Sequence, residues 1–210
     1  MVTGPNFREE HVLDDGTPIT LRHVRPDDVT GFKHAFERLS ASSRYTRFHG
    51  ITKTLSDEML HYLTNVNGRD HVAIVAVGRP PNESADIGLG VARFIRSEED
   101  PSLAEPAITV IDAMQKKGLG RILAIALARA ALERGIDRFR GQILADNVPV
   151  RRLLDEIGAV VHDDLSRDLV FDVSLRPSDD HPSAMLRLEA VFRKLLRAAS
   201  SRLVATPSRT

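Results

Sequence analysis

Residues 108–132 read ITVIDAMQKKGLGRILAIALARAAL, and this segment limits the fold more than any other. A short β-branched run is a buried strand. It passes through a brief loop into a long helix with Leu119, Ile122, Leu123, Ala126, Leu127 and Ala130 on one face. Gly135 ends that helix. A strand that feeds directly into an apolar-striped helix packs that helix on its own sheet, so the chain must build a sheet covered by helices.

The remaining pattern extends this unit. Residues 11–24 predict a hairpin turning at Asp15-Gly16. Pro26, Asp27 and Asp28 open a helix carrying Val29, Phe32, Phe36 and Leu39 on one face. Residues 40–54 read as a polar segment, and Ser56 caps a helix at 57–64. Strands are predicted at 71–77, 86–95 and 105–111, with Gly88 and Gly90 marking a bulge in the second. Strand 138–144, helix 147–156 and strands 159–162 and 168–175 follow. A linker at 177–180 then leads to an amphipathic helix at 183–203. The irregular alternation predicts an α/β (α+β) fold: a central mixed sheet of about six to seven strands flanked by helices, with an added C-terminal helix. Residues 1–176 form the domain and 177–210 the linker and helix.

Composition excludes several functions. The chain has no cysteine, so disulfides, thiolate nucleophiles and cysteine zinc sites are ruled out. Eight histidines show no metal-ligand spacing, and no metal site is expected. Lys+Arg and Asp+Glu both number 29, giving no basic field for nucleic acid. No apolar run reaches membrane-spanning length and no signal-peptide core is present, so a cytoplasmic location is expected. Residues 181–210 hold six Lys/Arg and one acid, a local basic end. That helix could cover its own domain, form a homodimer or touch an anionic surface; covering its own domain is the default.

The glycine loop carries the chemistry. Free N–H groups at a helix N-terminus bind anions, and glycine lets an oxyanion approach the backbone. Lys116, Lys117 and Arg121 add positive charge. A dinucleotide loop needs a third glycine where Leu123 stands, and no triphosphate loop motif is present. The pattern Q/R-x-x-G-x-G/A fits Gln115-Lys116-Lys117-Gly118-Leu119-Gly120 at every fixed position. A helix entry that holds no ligand is the plain alternative.

Those six residues, Val110 five positions earlier, and Asn147 with Gly158 in NVPVRRLLDEIGA resemble the GNAT N-acetyltransferase superfamily over about residues 17–175. RLSASSRYTRFHG, AEPAITV and ILADNVPVRRLLDEIGA resemble more narrowly the acyltransferase domain of bacterial Pat-type protein lysine acetyltransferases. The resemblance implies acetyl-CoA, or another acyl-CoA, as co-substrate. It implies a primary amine as acceptor, with a protein lysine preferred, in a partner such as an acyl-CoA synthetase. The family's fourth strand, here 105–111, splays from its fifth, and pantetheine enters the gap. Ile108, Thr109 and Val110 would line the pantetheine arm, and the amides from Gln115 to Arg121 would hold the pyrophosphate. Asn147 would contact pantetheine or its bound water.

Glu105 matches the general base of Pat-type enzymes. A lysine amine, with its pKa near 10.4, must lose a proton before it attacks. Arg44, Tyr45, Arg47 and His49 lie where the family builds its acceptor side; a polar loop packed by Phe48 is the alternative reading. Many members carry a tyrosine general acid seven residues after the asparagine, and this chain has Leu154 there. A thiolate leaving group tolerates the loss, but the change also leaves open a catalytically inactive acyl-CoA sensor. A small-molecule amine is the other acceptor class.

Overall fold

Strands β1 (Arg8–Val12) and β2 (Pro18–His23) form the expected hairpin. Gly16, at φ +85°, supplies the left-handed turn residue and donates its N–H to the Leu13 carbonyl at 2.9 Å. A 3₁₀ turn at Pro26–Asp28 runs into α1 (Val29–Glu37), whose Phe36 is buried. Residues 40–54 depart from expectation, because Ala41–Phe48 is a helix, α2. Ser40 starts it: its Oγ accepts from the Ser43 N–H at 3.2 Å, and its carbonyl accepts from the Arg44 N–H. Helix α3 (Asp57–Thr64) starts as predicted, with the Ser56 hydroxyl accepting from the Met59 N–H.

The structure, a computed structural model, describes residues 3–48, 53–81, 83–163 and 168–176, with Arg187 and Ala190 beyond them. Thr46, Arg47, Phe48, Pro149 and Asp163 are described by backbone alone. His49, the linker at 177–180 and, those two positions apart, the helix expected at 183–203 lie outside the described residues.

Strands β3 (His71–Gly78), β4 (Ile87–Arg96) and β5 (Leu103–Val110) form the sheet centre. Helix α4 (Leu119–Leu132), β6 (Arg138–Leu144), α5 (Val148–Ile157), β7 (Val160–Asp163) and β8 (Asp168–Ser174) follow. All eight strands join one mixed sheet in the order β1-β2-β3-β4-β5-β6-β8-β7. That is slightly above the six to seven expected overall, although the sequence places a strand near each of the eight positions.

The two faces are covered by different helices. Against one lies α4, whose Leu119, Leu123 and Leu127 meet Ala92 and Phe94 of β4 in the main core. Its burial exceeds the predicted stripe, since Ile125, Ala128 and Ala131 are covered too. Helices α1 and α3 lie on the opposite face, over Ala73 and Val75. The glycine bulge is present: Ala76 pairs with Gly90 and Val77 with Gly88, leaving Leu89 without a partner. Gly90 permits the tight approach there, because a Cβ would fall 2.9 Å from the Thr109 carbonyl oxygen.

Candidate active site

The sheet opens where the glycine loop leaves it. β5 and β6 are parallel and pair only at Leu103–Arg138 and Ala104–Phe139. Ile111 N–H donates to the Leu89 carbonyl, so the odd-numbered positions of β5 turn their backbone groups toward β4. Those of Pro106, Ile108 and Val110 therefore face the gap. Pro106, which has no N–H, fits on that side without losing a ladder bond. Thr109 instead directs its backbone at β4 and its side chain at the α1 face.

The loop beyond β5 is a concave set of donors. Gln115 N–H bonds to the Asp112 carbonyl, and Arg121 N–H to the Gly118 carbonyl. Among the described residues, the amides from Lys116 to Gly120 have no acceptor. Gly118, the N-cap of α4, lies at φ +84°, and Lys116 at +62°. A lysine in the left-handed region costs about 1–2 kcal/mol relative to its usual conformation, and such strain gathers at ligand sites. Left-handed residues in a short loop favour a backbone arrangement whose N–H groups suit an anion.

The cations around the loop are less available than the sequence implies. Lys117 Nζ pairs with Asp15 at 2.9 Å, and Arg121 pairs with Glu156 at 2.9 Å. Asp15 comes from the β1–β2 turn, which docks on the loop through Asp14 N–H and the Lys117 carbonyl. Burial pushes the Asp15 carboxyl up, but hydrogen bonds from Lys117 and Thr17 outweigh it and hold the group below the usual carboxylate range. Arg121 Nε is buried and has no hydrogen-bond partner among the described residues, so one donor beside the cradle awaits an acceptor. The donor set fits a pyrophosphate.

Gln115 does more than occupy a motif position. Its Nε2 donates to the Val110 carbonyl at 3.2 Å, Asp112 Oδ1 at 3.3 Å and Ser43 Oγ at 3.4 Å. Asp112 Oδ2 also accepts from the Ser40 N–H. Burial raises the Asp112 carboxyl and the Ser40 and Ser43 hydrogen bonds lower it, with a net shift down. This node ties the N-terminus of α2 to the loop. Sequence reasoning missed it, because the serines and Asp112 stand about seventy residues apart.

The other expected residues fall at several places. Glu105 is exposed on the α1 face, opposite Ile95, and its carboxylate has no partner among the described residues. It lies about 17 Å up β5 from Val110, at about 3.3 Å per residue. Asn147 caps α5, accepting from the Val150 N–H at 3.4 Å, at the far end of β6. Leu154 is 4% exposed and belongs to the main core, where an apolar side chain offers no proton. On the acceptor side, Arg44 closes the α1–α2 corner. Its guanidinium donates to the Leu39 and Glu37 carbonyls and stacks 4.4 Å over the Phe36 ring. Tyr45 is 48% exposed. Among the described residues no cluster could hold a metal ion, and no helix is long and apolar enough to cross a membrane.

A splayed mixed sheet with an anion cradle opening α4 is the architecture of an acyl-CoA-dependent transferase. The sequence model of the acetyltransferase (GNAT) domain matches residues 19–160, and the chain belongs to that family. Acetyltransferase Pat of Mycolicibacterium smegmatis is 33% identical over 86% of this chain, which spans 54% of Pat's own length. The GNAT domain of S. lividans PAT superposes with a TM-score of 0.71 at 24% identity, covering 80% of this chain and 96% of that one. Salmonella typhimurium yncA, solved with its cofactor acetyl-CoA, superposes with a TM-score of 0.60 at 18% identity over 77% of this chain and 96% of its own. These last two likenesses concern the fold.

Proposed function

We propose that this chain transfers an acetyl or short acyl group from acyl-CoA to a primary amine, with a protein lysine as the preferred acceptor. The observation that carries this reading is the run of free amides from Lys116 to Gly120, continuous with the unpaired edge of β5. The amides take the pyrophosphate, and Ile108 and Val110 pair with the pantetheine arm as a further strand would. An N–H on that edge polarises the thioester carbonyl where negative charge develops.

Glu105 accepts the proton of the acceptor ammonium, directly or through water. The amine nitrogen then bonds to the acyl carbon as the carbon–sulfur bond breaks, coenzyme A leaves as thiolate, and the nitrogen loses its second proton to water to give the neutral amide. Leu154 supplies no proton, and a thiolate with a conjugate pKa near 8.5 departs without one. The preference for a protein lysine, in a partner such as an acyl-CoA synthetase, rests only on the resemblance of residues 38–50, 104–110 and 143–159 to Pat-type enzymes. A cytoplasmic site of action goes with that reading.

Calorimetric titration with acetyl-CoA tests the cradle. At Gly120 a Cβ meets nothing within 4 Å, so Gly120→Asp folds and places a carboxylate beside the anion site. Acetyl-CoA affinity is expected to fall at least tenfold, about 1.4 kcal/mol; unchanged affinity refutes the cradle. Glu105→Gln tests the base by thiol release with amine acceptors. A drop in kcat/KM of about 10²-fold or more, with acetyl-CoA affinity retained, is expected. Full activity in the variant removes Glu105 from the mechanism.

A further inference from the structure

A cavity of about 520 Å³ lies beneath α1, within the size range of ligand pockets. We propose that it is a specificity pocket for the acceptor, taking a large apolar group borne by or flanking the primary amine and rejecting a second cation. The inference rests on Glu105 acting as the base.

The first argument is which face of the sheet is involved. Glu105, Ala107 and Thr109 pair with Ile95, Arg93 and Val91, and their side chains share the α1 face. An amine that gives its proton to Glu105 approaches from that face, since α4 covers the other. Thr109, Val91 and Arg93 are also walls of the cavity. The space under α1 is therefore continuous with the strand surface along which the amine arrives.

The second argument is the lining. Phe32, Phe36, Leu39, Leu55 and Leu63 make it predominantly apolar. Two glycines keep it open from opposite sides. At Gly31 in α1 a Cβ would meet nothing within 4 Å, and at Gly88 in β4 only Ala35 Cβ and the Gly31 carbonyl oxygen, both at 4.0 Å. Neither glycine has a positive φ. A space with these apolar walls gains most from an apolar occupant.

The third argument is charge. Arg22, Arg38 and Arg93 line the cavity against Asp28 and Asp86. Arg22 and Asp28 satisfy each other at 2.6 Å, and Arg38 pairs with Glu83 at 2.8 Å. Arg93, 3% exposed, donates to the Leu63 carbonyl and to His71 Nε2. A second ammonium placed beside that buried guanidinium meets like charge at low dielectric.

Binding is measured by calorimetry on the full chain saturated with coenzyme A, so that no turnover intervenes. The probes are phenethylamine against diaminobutane, and a leucine-flanked against a serine-flanked lysine peptide. At least one apolar member is expected to bind about tenfold or more tighter than its polar counterpart, the gain from burying one large side chain. A preference confined to peptides assigns the pocket to a neighbouring side chain of a protein acceptor; one confined to free amines assigns it to a small molecule. Gly31→Leu and Gly88→Val fill the space from opposite walls, and each is expected to abolish the preference while changing acetyl-CoA affinity by less than about twofold. Equal binding of polar and apolar probes, or a preference that survives both substitutions, overturns the proposal. Should Glu105→Gln retain full transfer while the preference stands, the assignment of the base fails and the pocket survives.

Discussion

Asp15 shows how one side chain changes the reading of a motif. From the linear pattern Lys117 is a cation for a phosphate, yet in the fold a carboxylate holds it. In the proposed site, acyl-CoA competes with Asp15 for that ammonium. Asp15→Asn frees Lys117, and acetyl-CoA affinity measured by calorimetry at low salt is expected to rise several-fold, with the gain shrinking as ionic strength increases. His71 gives a residue-scale prediction about stability. Burial and the neighbouring Arg93 push its pKa down from 6.5 to about 4. The unfolded chain then binds a proton that the folded chain refuses between those values, so stability falls as pH drops from about 6.5 to about 4. His71→Gln removes that part of the slope, as Tm measured across the same range will show.

At the scale of elements, β4 and β5 decide where the gap opens. Leu89 bulges, Gly90 comes against the Thr109 carbonyl, and β5 ends in step with the loop. Gly90→Ala cannot keep that spacing. It is expected to cost about 1–3 kcal/mol in urea unfolding, the usual range for forcing atoms into a packed core. Helix α2 is tied to the same place through Ser40, Asp112 and Gln115. Its N-terminus therefore moves with the loop.

For the whole molecule, ligand binding and folding are linked. The gap between β5 and β6 leaves backbone groups unpaired in the middle of the sheet, at the edge proposed for acyl-CoA. At a concentration one hundred times Kd, a ligand that binds only the folded state adds about 2.7 kcal/mol to stability. For a chain of this size, acetyl-CoA is expected to raise Tm by roughly 5–10 °C in a thermal scan. Gly120→Asp should abolish most of that rise.

The local signals in the sequence were strong where chemistry and backbone need coincide. Ser56 caps its helix, and Gly88 with Gly90 makes the bulge. Each is a short-range requirement that one or two side chains satisfy, so it is legible from spacing. Helix α2 was not, because its serine-rich stretch is so polar overall that it reads as a loop. Neither the β1–β2 turn beside the glycine loop nor the cavity under α1 could be read in advance. Which turn meets which loop, and what space two packed helices leave, depend on contacts between residues distant in sequence. The sequence by itself determined the strand, the glycine loop and the helix that follow one another at 108–132. Only the tertiary structure decided which amides stay free, which cations are already paired and which face of the sheet an acceptor can reach.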